Sequence, residues 1–240
     1  MDDNTTLELR GVNQYFNDEY LFDEDVNLSI EQNSATLLYG GSGSGKTSLL
    51  NVLIALVTST RGGVYWDNKK ITSLKEANKI RANYMSVLFS NFSFISELSI
   101  KENILLAATL CKVENAQEKL LEITQTILNF KEEDENIDLG TLIEKESVNA
   151  LSNGQKEIIV LASTLLLQTK FFIGDEMLRS FPDKTKVILF KRLIAYFKEN
   201  KIGFFYVTHW PEAAEIMRAS GFKHKIYNLK NKKLQLEQEI

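Results

Sequence analysis

Continuous apolar blocks alternate along this chain with longer segments of helical spacing. "ATLLY", "YMSVLF", "FFIG" and "GFFYVT" are apolar but for a single Thr or Ser in three of them and too short to be helices, so they read as strands covered on both faces. Between and after them, "KTSLLNVLIALV", "SNGQKEIIVLASTLLLQ", "KTKVILFKRLIAYFKEN" and "PEAAEIMRAS" have the length and periodicity of helices. This alternation predicts an α/β fold with a mostly parallel sheet. Other stretches depart from it. "LELRGV" and "VNLSI" alternate apolar with polar and predict an N-terminal antiparallel β edge. "TRGGVYWDNKKI" reads as a hairpin-like excursion and "KIYNLKNKKLQ" as a closing strand hairpin, its "KNKK" turn solvated. From Ser99 to Phe130 the pattern is helical, with Leu120, Leu121, Ile123, Ile127 and Leu128 on one face, and "KEEDENIDLG" follows as an acidic surface loop. The expected division is a core of residues 1–94 and 151–240 around an inserted helical lobe, 95–150, that leads into the next motif.

Composition narrows the function classes. The 240 residues are 44% apolar and 25% charged, ordinary for a protein with a sizeable core. A net charge of -4 gives no electrostatic case for a nucleic-acid partner. The one cysteine, Cys111, cannot form an internal disulfide and points to a reducing compartment. The longest apolar stretches, "LLNVLIALV" and "IIVLASTLLL", fall short of the roughly 18 residues that cross a bilayer. Any membrane part is expected from another chain.

The chemistry concentrates in "LYGGSGSGKTSLLN". Gly40, Gly45, Lys46 and Thr47 satisfy G-x-x-x-x-G-K-[ST], between a strand and a helix as that motif requires. Glycines let successive N–H groups turn inward as an anion nest, and the helix that follows aims its positive end at the same point. Gly41, Ser42, Gly43, Ser44, Gly45, Lys46, Thr47 and Ser48 therefore form a phosphate cradle, with Lys46 on the β and γ phosphates and the Thr47 hydroxyl on Mg²⁺. Asp175 and Glu176 follow the block "FFIG"; a carboxylate at that strand end can hold Mg²⁺ through water, and its neighbour can orient or deprotonate an attacking water. His209, at the end of another sheet strand, can donate to a γ-phosphate. His224, in "KHK", reads as solvated. Ser152 and Gln155 form a capping box, and a capped helix start still offers N–H groups to an anion.

In order and spacing these motifs resemble the nucleotide-binding subunit of ABC transporters over nearly the whole chain. "GGSGSGKT" resembles that family's Walker A, "FFIGDE" its Walker B with the catalytic glutamate, "VTHW" its switch histidine and "LSNGQ" its signature. The resemblance implies a P-loop NTPase core, ATP with Mg²⁺ as ligands, and Glu176, His209 and Lys46 as catalytic residues. It implies that Ser152, Gly154 and Gln155 meet the ATP of a second, identical subunit, and that closure drives an integral membrane subunit from the inner face of the membrane. Phe16, with Tyr15 as the alternative, falls where the family places an aromatic under adenine. Ser90 falls where the family has a metal-reaching glutamine, beside Thr47 and Asp175 as the metal set, and is too short to span as far without a water. Phe89, Phe92 and Phe94 fall near the groove for the membrane partner, with at least one expected in the core.

Several positions depart from the family pattern. Asn153 replaces a signature glycine, Ile158 and Ser163 stand where arginines are usual, Met177 replaces a proline, and "RSFPD" replaces the loop that crosses the dimer interface. The nucleotide-holding residues are kept while the intersubunit elements have drifted, which implies a slow, partner-dependent ATPase. The competing readings are a regulatory ATP sensor with little turnover, and a soluble ABC-type ATPase acting on DNA or the ribosome. Compact length leans toward the lipoprotein-release, macrolide-efflux and cell-division types.

Overall fold

The computed structural model describes residues 5–16, 18–131, 136–143 and 147–240. In chain order the strands are β1 (Thr6–Asn13), β2 (Tyr15–Phe16), β3 (Glu19–Tyr20), β4 (Val26–Glu31), β5 (Ala35–Gly40), β6 (Arg61–Trp66), β7 (Lys69–Lys70), β8 (Met85–Leu88), β9 (Phe130–Lys131), β10 (Asn136–Ile137), β11 (Phe171–Asp175), β12 (Gly203–Thr208), β13 (His224–Lys230) and β14 (Lys233–Glu239). The α-helices are α1 (Lys46–Leu53), α2 (Leu74–Tyr84), α3 (Ile100–Leu110), α4 (Ala116–Ile123), α5 (Leu139–Ile143), α6 (Asn153–Leu165), α7 (Asp183–Glu199) and α8 (Glu212–Ala219). The main sheet runs β14-β13-β5-β12-β11-β8, parallel except for the edge strand β14. A second, antiparallel sheet runs β4-β1-β6-β7.

Side-chain parity explains why the parallel strands are largely apolar. Phe172, Phe204 and Tyr206 point to the face packed by α6, α7 and α8, where Phe190, Leu193 and Phe197 meet them. Phe171, Ile173, Phe205 and Val207 point to the other face, against α1 and the antiparallel sheet, where Leu7, Leu9, Leu49 and Leu53 lie. Both faces are covered, so both positions in the period of two are mainly apolar, and the buried exceptions inside β5 and β8, Thr36 and Ser86, are small. On the first face, Phe204 stacks on Phe197 at 4.6 Å between centroids and on Tyr206 at 5.9 Å, with Phe172 at 6.1 Å and Phe190 at 6.0 Å.

Four expectations need correction. The helix after the glycine loop ends at Leu53 although the apolar run continues, because Ala55 turns left-handed at φ 51 and Arg81 donates to the carbonyls of Ile54 and Ala55 at 2.9 and 2.5 Å. Leu121 is exposed, unlike Leu120, Ile123, Ile127 and Leu128, because within α4 it lies roughly 160° around the helix from the buried Ile123, on the opposite face. His224 is buried, not solvated: it starts β13 beside β5, and its Nδ1 lies 2.8 Å from the Phe222 carbonyl. Part of "KEEDENIDLG" pairs as β9 and β10, and residues 132–135 lie outside the described residues. The "KNKK" turn is exposed as expected, with Lys232 paired to Glu19 at 2.7 Å and Lys233 to Glu24 at 3.1 Å.

Phe204→Ala opens a cavity among four rings and is expected to cost about 3–5 kcal/mol. Urea unfolding checks this; a loss under about 1 kcal/mol would mean that the cluster carries little of the sheet's packing.

Candidate nucleotide site

Register brings the chemistry to one edge. Tyr39 of β5 lies beside Thr208 of β12, Val207 beside Asp175 of β11, and Gly174 beside Leu88 of β8. Parallel strands end on the same side, so the segments after β5, β8, β11 and β12 open into one crevice.

The loop after β5 is built as a cradle. Gly43 and Gly45 are left-handed at φ 75 and 99, and Gly45 caps α1. A Cβ on Gly40 would sit 2.3 Å from the Leu229 carbonyl oxygen. Gly41, Ser42, Gly43, Thr47 and Ser48 are exposed along its rim. Lys46 is 6% exposed, and its ammonium donates to the carbonyls of Gly40 and Gly41 at 3.0 and 2.8 Å, folded across the loop. Burial pushes its pKa down, against the pull of the Glu176 and Asp175 charges. Ser44 Oγ is buried without a hydrogen-bond partner. An oxyanion seated in the loop would satisfy it, so the residues present fit a phosphate.

Asp175 is 1% exposed, and three side chains with hard oxygen atoms meet there. Thr47 Oγ1 lies 3.4 and 3.5 Å from its two carboxylate oxygens, and Ser90 Oγ donates to Oδ2 at 3.2 Å. A serine cannot span what a glutamine spans; what it reaches is Asp175 itself. Burial raises the Asp175 carboxyl above the usual carboxylate range, the Glu176 charge adds to this, and the Ser90, Thr47 and Lys46 contacts pull it back. The donor set suits a hard divalent cation such as Mg²⁺.

Glu176 adopts a left-handed backbone, φ 50, fixed by its N–H bond to the Val207 carbonyl at 2.9 Å. Its Oε2 is taken up by His209 Nδ1 at 2.7 Å and by the Thr208 hydroxyl and His209 N–H, each at 3.3 Å. Its Oε1 faces the Lys46 ammonium at 3.9 Å. Thr208, passed over in the sequence because it lies inside an apolar run, also accepts the Trp210 N–H at 3.0 Å and so shapes the turn holding His209.

Lys46, Thr47, Ser90, Asp175, Glu176 and His209 are thus brought together. Ser152, Gly154 and Gln155 stand elsewhere, in the cap and first turn of α6. Ser152 Oγ accepts the Gln155 N–H at 3.2 Å, and Gln155 Oε1 accepts the Ser152 N–H at 3.1 Å. Phe16 ends β2, and its side chain lies outside the described part of the molecule; Tyr15 is 46% exposed and packs edge-on against Tyr20. Phe89 packs into the core behind α1. Phe92 and Phe94 instead line a cavity of about 310 Å³ with Ile95, Leu106, Leu110 and Val160.

The ABC transporter family model matches residues 24–179, and the chain belongs to that family. The spermidine/putrescine import ATP-binding protein PotA of Borrelia garinii subsp. bavariensis is 28% identical over 216 residues, 90% of this chain and 58% of the relative. The protein of the same description from Clostridium novyi is 29% identical over 211 residues, 88% of this chain and 57% of the relative. The chain therefore spans a little over half the length of these curated relatives. Among solved structures, the dimeric ATP-binding cassette MJ0796, in a post-hydrolysis state bound to ADP and Pi, superposes with a TM-score of 0.76 at 23% identity, over 98% of this chain and all of the other. The cbiO1 protein of Clostridium perfringens, part of the ABC transporter complex cbiONQ, gives 0.76 at 21% identity, over 96% of this chain and 86% of the other. At these identities the two structures establish a shared fold. No helix among the described residues is long and apolar enough to cross a membrane.

The raised Asp175 carboxyl has a consequence for stability. Between the ordinary carboxylate value and its raised folded value, the folded state holds the proton more tightly than the unfolded chain, so stability falls as pH rises through that window. Asp175→Asn removes this burden. The variant is expected to unfold at higher urea than wild type at neutral pH, with the gap narrowing on acidification; a gap independent of pH would contradict this origin.

Proposed function

We propose that this chain is an ATP-binding and hydrolysing subunit of an ABC transporter, working as a homodimer on a separately encoded membrane protein. The observation that carries the reading is the meeting of a phosphate cradle, a metal-suited carboxylate and a histidine-held glutamate at one sheet edge. Residues 41–48 hold the phosphates, with Lys46 moving from its own loop carbonyls to the β and γ oxygens. Thr47, Asp175 and Ser90 would hold Mg²⁺, which would supply charge neutralisation at the transferring phosphoryl group.

Glu176 is the general base, and its environment indicates which oxygen acts. Oε2 is occupied by three donors, so Oε1 is the oxygen available to take a proton from water. An ionised carboxylate only accepts, so Nδ1 of His209 carries the proton of their bond and Nε2 is left to face the substrate. Ser152, Gly154 and Gln155, exposed or half-exposed at a capped helix N-terminus, meet the γ-phosphate of ATP held by the second copy. Phe16, at the end of β2, stacks on the adenine.

The division into a core of 1–94 and 151–240 and a lobe of 95–150 follows the same reading. The apolar cavity at Phe92 and Phe94 takes an inward-facing helix of the membrane subunit, supported by the exposure of Ile95 and Leu110 on its rim. Such docking places the chain on the inner face of the membrane. The departures at Asn153 and in "RSFPD" favour slow turnover that depends on the partner. The Ser90 contact to Asp175 supports a cycling enzyme over a sensor that only binds, because it keeps a hard oxygen donor beside the proposed metal carboxylate where the family has glutamine.

Glu176→Gln keeps the shape and the Thr208 and His209 contacts but cannot take a proton. In the assembled complex it is expected to lower kcat about 10²–10⁴-fold while leaving ATP affinity within about twofold. Hydrolysis unchanged by this substitution, or loss of ATP binding with it, would contradict the assignment.

A further inference from the structure

Glu157 has no place in the nucleotide site, yet it is 3% exposed in the second turn of α6. A buried carboxylate is costly unless its oxygens are bonded. Here the bonds come from the loop that follows Glu176. Ser180 N–H donates to Oε2 at 3.1 Å, with the Ser180 hydroxyl and the Arg179 N–H beside the carboxylate. Burial pushes this carboxyl up, and these donors together with the Arg179 charge pull it down.

Two further contacts fix the same loop. The Tyr206 hydroxyl, fully buried, donates to the Met177 carbonyl at 2.8 Å. The Phe181 ring lies over Gly154, where an added Cβ would come within 3.1 Å of Cε1. Along this loop the backbone is left-handed at Glu176, φ 50, just before the first anchor, and at Leu178, φ 68, between them, conformations that non-glycine residues hold only when their surroundings impose them. The loop therefore starts at the proposed base and is clamped, four residues on, to the first turns of the helix capped by Ser152.

We propose that Glu157 is a positioning residue that ties the aim of Glu176 to the docking of the α6 N-terminus on a second copy of this chain. The proposal rests on the functional reading above. When Ser152 and Gly154 engage the phosphates of the other subunit, any shift of α6 is passed through the Glu157 carboxylate to residues 179 and 180, and from there to Glu176. A brace serving stability alone would not link these two ends.

Two near-isosteric substitutions in the full chain separate the cases. Glu157→Gln keeps an acceptor for Ser180 and Glu157→Leu does not, while both remove the charge. In the complex, Glu157→Leu is expected to lower kcat about tenfold or more with KM for ATP within about twofold, and Glu157→Gln to restore most of the rate. Hydrogen exchange of the peptide covering 177–182 is expected to quicken in Glu157→Leu alone. The proposal is overturned if Glu157→Leu turns over like wild type, if Gln is as damaging as Leu, if kcat and ATP affinity fall together, or if exchange of 177–182 does not change. The exchange arm judges the anchor even if the wild-type complex hydrolyses no ATP, a result that would instead remove the functional reading.

Discussion

The hydrogen bonds that Asp175 receives are the point on which the site depends. A carboxylate that is 1% exposed is tolerated only where donors replace water, and here Thr47 comes from the helix after the phosphate loop and Ser90 from the segment after β8. Those bonds tie two separate stretches of chain to one strand end. They can form because β5, β12, β11 and β8 run parallel and in register, so that their outgoing segments emerge side by side. The sheet must be largely apolar on both faces to be buried, which concentrates the site's polar chemistry at its edge. Fold and site thus follow from the same constraint.

The second arrangement concerns Glu176. Its backbone is held left-handed, one of its oxygens is saturated by His209 and Thr208, and the other faces Lys46. The loop beyond it is clamped to α6 by Glu157 and by the Phe181 ring over Gly154. Preorganisation of this kind lets a carboxylate act without first reorienting. It also joins two regions that are distant in sequence, the cap at Ser152 and the strand end at Asp175.

Much of this was legible before any coordinates. The glycine loop and the apolar strands announce themselves because their residue types are forced, by left-handed backbone at Gly43 and Gly45 and by two-sided burial in β11 and β12. The helix α2 went unread because only Ala77 and Ile80 are buried in it, too few for a periodic signal. The local sign was there in Ser73, whose hydroxyl accepts the Glu76 N–H at 3.2 Å. His224 was misread because its neighbours in sequence, Lys223 and Lys225, are charged; both find Glu31 as a partner across the fold, which the sequence cannot reveal. Glu157 was silent for the same reason, since its partners in the 179–180 turn lie far along the chain.

The central claim is that the phosphate loop is one half of a site completed by a second copy of the chain. The most direct test is the mass of the full chain in solution with MgATP, measured under conditions that prevent turnover, and again with MgADP. The account predicts a monomer that becomes a dimer with ATP and returns to a monomer with ADP. A mass that does not respond to the nucleotide, although ATP is bound, would contradict it.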